Sequence, residues 1–98
     1  MSVHRHTIDP YVIDTLMADL VGHDHRPSAF LIYLAILAAA SNGRAVLSYG
    51  QIAERTGLSK RTVQSAVVAL DKRGLIEIRR RAPTEPPEYR PLAPWRRS

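Results

Sequence analysis

Between Ser48 and Gly74 two short amphipathic segments are separated only by Thr56-Gly57-Leu58, and this spacing restricts the fold more than any other feature of the chain. The first segment opens with Ser48 and Gln51, the S-x-x-Q spacing of a capping box, and turns Ile52 and Ala53 inward. Gly57 supplies the positive φ that a sharp reversal needs. Ser59 caps the next segment, where Val63, Ala66, Val67 and Leu70 fall at i, i+3, i+4 and i+7 and define a buried helix face. Gly74 ends it, with Lys72 and Arg73 in a last turn that favours cations. Ile76-Glu77-Ile78-Arg79 then alternates as a half-buried strand does.

The flanking sequence supplies what such a helix pair must pack against. Asp9-Pro10 is a helix start, with Asp as N-cap and Pro in the first helical position. Ile13, Leu16, Met17 and Leu20 follow at helical spacing as one apolar stripe, Asp14 and Asp19 lie off it, and Gly22 closes the segment. A further helix opens at Pro27 or Ser28. Its apolar run, Ala29 to Ala40, covers nearly the whole circumference, which predicts a central pillar buried on most sides. Asn42-Gly43 gives it a left-handed stop, and Arg44 to Leu47 is a small edge strand.

Downstream, Ala82 to Glu88 holds Pro83, Pro86 and Pro87 and reads as an exposed loop. Tyr89 to Leu92 returns as an edge strand, since proline at position 91 is tolerable only at an edge. Residues 1–8 lack periodicity and are expected to be mobile. The expected organisation is an arm and amphipathic helix over residues 1–26, a main domain over 27–92 and a basic tail over 93–98.

Charge is divided unevenly. Residues 1–43 carry two arginines against four aspartates, a net −2, whereas residues 44–98 carry twelve Lys/Arg against five acids, a net +7. The basic part is suited to a polyanion. The chain has no cysteine, which rules out disulfides and thiolate metal sites, and 45% of its residues are hydrophobic, enough for a core. The twelve-residue apolar run is shorter than the roughly 20 residues that span a bilayer, and no basic-then-apolar leader opens the chain. The cytoplasm is the expected location. No cysteine nucleophile, phosphate-binding glycine loop or helical His pair at metal spacing is present, so an enzyme is not expected.

Ile52-Ala53, Thr56-Gly57-Leu58-Ser59, Arg61-Thr62-Val63, Leu70 and Gly74-Leu75-Ile76 match the pattern I-A-x-x-T-G-L-S-x-R-T-V…L-x-x-x-G-L-I. In this the chain resembles the winged helix-turn-helix domains of bacterial transcription regulators over residues 27–92. The resemblance implies a mainly α fold with a small antiparallel β-hairpin, preceded here by an extra amphipathic helix. It also implies sequence-specific binding of double-stranded DNA, with the helix over 59–73 in the major groove and the basic wing over 79–90 on the minor groove or phosphates.

The residue chemistry agrees with those roles. With Val63, Ala66, Val67 and Leu70 buried, the opposite face presents Lys60, Arg61, Gln64, Ser65 and Val68. Arg and Lys grip guanine edges and Gln pairs with adenine. Ser59 and Thr62 stand at a helix start that favours a phosphate, and Tyr49 and Gln51 can reach another. Arg79, Arg80 and Arg81 lead into the wing, with Arg90, Arg96 and Arg97 as further candidates; Glu85 and Glu88 weaken the wing tip.

The N-terminal stripe either covers the domain's own core or pairs two subunits, and a homodimer would favour an inverted repeat. His4, His6, His23 and His25 form two H-x-H pairs, but no cysteine or close glutamate completes a metal set, so neither metal nor cofactor is expected. Nothing names a small-molecule ligand or a membrane partner. The alternatives to a transcription regulator are a winged-helix protein-interaction module and a replication or partition accessory protein.

Overall fold

A computed structural model describes residues 7–95. His4, His6, Arg96 and Arg97 lie outside the described residues. Three α-helices, α1 (Pro27–Ala39), α2 (Tyr49–Thr56) and α3 (Lys60–Lys72), pack with a three-stranded antiparallel sheet, β1 (Ala45–Val46), β2 (Ile76–Arg79) and β3 (Glu88–Pro91). An N-terminal helix precedes them. The chain is thus mainly helical, with a helix-turn-helix at α2–α3 and a sheet in a position compatible with a winged helix.

The local chemistry expected for α2 and α3 is present. Ser48 Oγ accepts from the Gln51 N–H at 3.1 Å while Gln51 Oε1 accepts from the Ser48 N–H at 2.8 Å, a closed capping box. Gly57, at φ 77°, ends α2 with its N–H donating to the Ala53 carbonyl. Ser59 caps α3, and Val63, Ala66, Val67 and Leu70 are all buried. α1 carries Phe30, Ile32, Tyr33 and Ile36 into the centre and meets the N-terminal helix, α2, α3, β1 and β3. It is the expected pillar, although Leu31 remains 46% exposed.

The N-terminal helix differs from its expected face. Asp9 does cap it, Oδ1 accepting from the Tyr11 N–H at 3.0 Å. The helix is then wound i→i+5 over Val12–Leu16 and Ala18–His23, and the N–H of Met17 between them also reaches back five residues, to the Val12 carbonyl. With more than four residues per turn, positions i and i+4 stay aligned and i+3 swings away. Val12, Leu16 and Leu20 therefore form the buried row, and Ile13 and Met17, expected to be in it, turn outward with Val21. Gly22 does not end the helix; it runs to His23, and the left-handed residue after it is His25, at φ 55°. The inner row joins the same core as α1–α3, so this stripe covers the chain's own interior.

Two further expectations change. Asn42 and Gly43, at φ 54° and 78°, form a tight turn closed by a Ser41–Arg44 bridge rather than the stop of α1, which ends at Ala39. β3 is the central strand, not an edge, so the hairpin becomes a sheet of order β1-β3-β2. Pro91 fits because β1 pairs only with Glu88 and Tyr89; at Pro91 the strand has a neighbour on one side only, Ile76 of β2. The loop after β2 is mostly exposed, but Pro87 is buried and its carbonyl accepts from the Leu47 N–H.

Candidate nucleic-acid interface

The sequence-derived site residues fall into two groups. On α3, burial of one face leaves Lys60, Arg61, Gln64 and Ser65 exposed on the other. Arg61, Gln64 and Ser65 line an open groove of about 350 Å³ together with Val68, Lys72 and Arg26, the residue before α1. No carboxylate lines it. Sequence spacing could have found Lys72, which lies eleven residues after Arg61 on the same helical stripe. Arg26 carries no such signal, because only the crossing of α1 behind α3 brings it there.

At the start of α3, Ser59 and Thr62 are engaged with each other: Ser59 Oγ accepts from the Thr62 N–H at 3.1 Å and its hydroxyl donates to Thr62 Oγ1 at 2.9 Å. Lys60 leans back over α2. Its Cε would lie 3.3 Å from a β-carbon placed on Gly50, and it shares an open groove with Ser48, Gly50 and Gln51. The missing side chain at Gly50 is what lets the ammonium group approach the first turn of α2. Gln51 points its carbonyl into the capping box and keeps its amide donors for other partners.

The second group sits on the sheet, and its three arginines are not equivalent. Arg79 and Arg81 line a groove with Val46, Glu85, Pro86 and Glu88. Arg79 Nε donates to Glu77 Oε1 at 3.1 Å, and Glu88 stands opposite Arg79 in register. Acidic neighbours thus offset part of the charge at this end. Arg80 instead acts electrostatically on Tyr89, as does Tyr49 of α2. Tyr89 is fully buried, and burial above all pushes its phenol well above the ordinary 10.0. Arg90 is exposed on β3.

Among the described residues no group of three or more His, Asp or Glu side chains comes together as a metal set. His23 Nδ1 instead lies 3.1 Å from Asp24 Oδ1. No helix among the described residues is long and apolar enough to cross a membrane. In chemical terms the α3 face offers a bidentate cation, an amide, a hydroxyl and an apolar methyl pair in one open groove, the set of groups that reads base edges.

Neither the curated proteins nor the solved structures include a significant match to this chain. A model of the helix-turn-helix domain family matches residues 26–76, from the residue before α1 to the first residue of β2. That match spans just over half of the chain and contains α1, α2, the Gly57 turn and α3, so the chain belongs to the helix-turn-helix domain family.

Proposed function

We propose that the protein is a sequence-specific, double-stranded DNA-binding transcription regulator whose binding unit spans residues 27–92. The observation that carries this reading is the asymmetry of α3: every residue of one face is sealed in the core, and the other face opens a groove with Arg61, Gln64 and Ser65 and no acid. In the major groove, Arg61 donates two hydrogen bonds to a guanine edge, Gln64 pairs with adenine and Ser65 serves either base. Lys60, Ser59, Thr62, Tyr49 and Gln51 hold the backbone at the starts of α3 and α2, and these contacts fix register rather than sequence. Arg80, with Arg79 and Arg81 beside it, follows the minor groove or its phosphates as the wing.

The reading includes a homodimer. The outer row of the N-terminal helix, Ile13, Met17 and Val21, is 38–43% exposed, and Ile8 adds to it at 39%. A second copy covering this row doubles the bases read and gives the site two-fold symmetry.

Selection of bound sequences from a random duplex library, with a mass measurement of the complex, tests both parts. The expected result is an enriched inverted repeat bound by two chains. Absence of any enriched sequence, with capture of a protein partner through the Ile13–Met17–Val21 row, would establish the interaction-module alternative.

A further inference from the structure

The groove beside α3 is longer than base reading requires. Arg61 and Lys72 are eleven residues apart on one stripe, about 16 Å along the axis at 1.5 Å per residue. The major groove is about 12 Å wide. A helix that places Arg61 on base edges therefore brings Lys72 out at the phosphate wall. Arg26 lines the same groove from the other side, although it is 35 positions before Arg61 in the chain.

The charges around this end of α3 are divided sharply. Arg73 is held by two carboxylates, Nη2 at 3.2 Å from Asp19 Oδ2 and Nε at 3.1 Å from Asp24 Oδ2. Arg26 and Lys72 are both exposed, and among the described residues neither side chain has a carboxylate within ion-pairing distance. The N-terminal helix thus pairs one of three neighbouring cations. Its Asp24, already bound to Arg73, also lines a second groove with Arg26 and Lys72, whereas the groove these two share with Arg61 holds no carboxylate.

We propose that Arg26 and Lys72 form a phosphate clamp that seats one DNA strand at the C-terminal end of α3, a backbone contact distinct from those at the starts of α2 and α3 and at the wing. This rests on the DNA-binding reading above. The clamp carries no base information; it sets how far α3 advances along the major groove by holding the strand that borders it. Arg26 grips a phosphate with its planar fork and Lys72 adds a point charge beside it.

The test is the salt dependence of binding to a selected duplex and to an unrelated one, for the full chain. Each lost phosphate contact lowers the slope of log affinity against log salt by about 0.9. Arg26→Ala and Lys72→Ala are each expected to lower it by about that amount, and the double variant by about twice as much. A single variant then loses about 3-fold less affinity than the wild type when salt rises fourfold. Affinity for both duplexes falls by the same factor, Arg26→Lys retains the slope, and the melting temperatures of these surface variants stay at the wild-type value. Wild-type binding with unchanged slopes in both single variants overturns the clamp and leaves the DNA-binding reading intact. A change in base preference at constant slope overturns it as well. Failure of the wild type to bind any duplex at low salt overturns both.

Discussion

The indole of Trp95 stacks on the ring of Tyr11, with centroids 4.5 Å apart and planes inclined by 16°. Its Nε1–H donates to Asp9 Oδ2 at 3.1 Å, while Oδ1 of the same carboxylate accepts the Tyr11 N–H. The N-cap of the N-terminal helix is therefore also the anchor of the segment after β3. Tyr33 of α1 fixes that segment a second time, its hydroxyl donating to the Leu92 carbonyl at 2.9 Å. The run from Pro94, expected to be a basic tail, begins as part of the folded body.

Trp95→Ala should destabilise the fold by about 2 kcal/mol. A buried Trp→Ala change costs about 3–5 kcal/mol, and the partial exposure of this ring reduces that. Urea midpoints at unchanged m-value measure it. In a double-mutant cycle with Tyr11→Ala, a coupling of about 0.5–1.5 kcal/mol is expected for the stacked pair. Strict additivity would show that the rings contribute only separate burial.

Arg73 bridges Asp19 and Asp24, and so ties the N-terminal helix to the end of α3. The Arg73 side chain is 42% exposed, so the pair is screened and Arg73→Ala should cost only about 0.5–1 kcal/mol. Arg73→Lys should lose most of that as well, because one ammonium group does not reproduce a fork that meets two carboxylates. Both differences should shrink in 1 M salt; a loss independent of salt would point to packing of the side-chain stem instead.

Tyr89 predicts a pH dependence. Its hydroxyl is buried beside Tyr49, which adds to the upward effect of burial both by charge and as a hydrogen-bonding neighbour, but no bond of full geometry satisfies it. Burial raises the phenol above 10.0, so between that pH and the folded-state value the unfolded chain releases a proton that the folded chain keeps. Stability is present in full below pH 10 and falls as pH rises above it. Tyr89→Phe removes this titration and an unsatisfied polar group together. It should leave stability at pH 7 unchanged or slightly higher and flatten the alkaline decline, as followed by thermal melting from pH 7 to 11.

These relationships mark where the sequence is legible. The α2–α3 unit is governed by contacts within a few residues: a capping box, a glycine at φ 77° and a period of 3.6, all visible in the order of residues. The N-terminal helix has the same kind of apolar pattern, but its i→i+5 winding exchanges Ile13 and Met17 for Val12 on the buried face. That choice is made by the core it packs on. The central position of β3 depends on a two-residue strand that local pattern barely signals. Arg73 and Arg26 are both exposed cations, and only the tertiary position of Asp19 and Asp24 separates the paired one from the other.

Gly50 separates folding from binding. A methyl group there would meet Lys60 Cε at 3.3 Å, the far part of a flexible side chain that swings aside easily. Gly50→Ala should leave stability equal or raise it by up to about 0.5 kcal/mol through helix propensity. It should nevertheless weaken duplex binding, because Lys60 is displaced from the first turn of α2. A gain in stability with unchanged DNA affinity would remove Lys60 from the interface.

Arg61 is the sharpest test of base reading. It lies in the groove beside Gln64 and Ser65, exposed and without an acidic partner among the described residues. A bidentate contact to guanine is worth about 1–3 kcal/mol of discrimination against the wrong base. Arg61→Ala should therefore cost about that much on the selected duplex and far less on an unrelated one, and should relax preference at one position of each half-site. Arg61→Lys should restore charge but only part of the preference. Competition binding with single-base variants of the selected site measures both effects. Equal losses on selected and unrelated duplexes would reassign Arg61 to the phosphate backbone and leave Gln64 as the principal reader on α3.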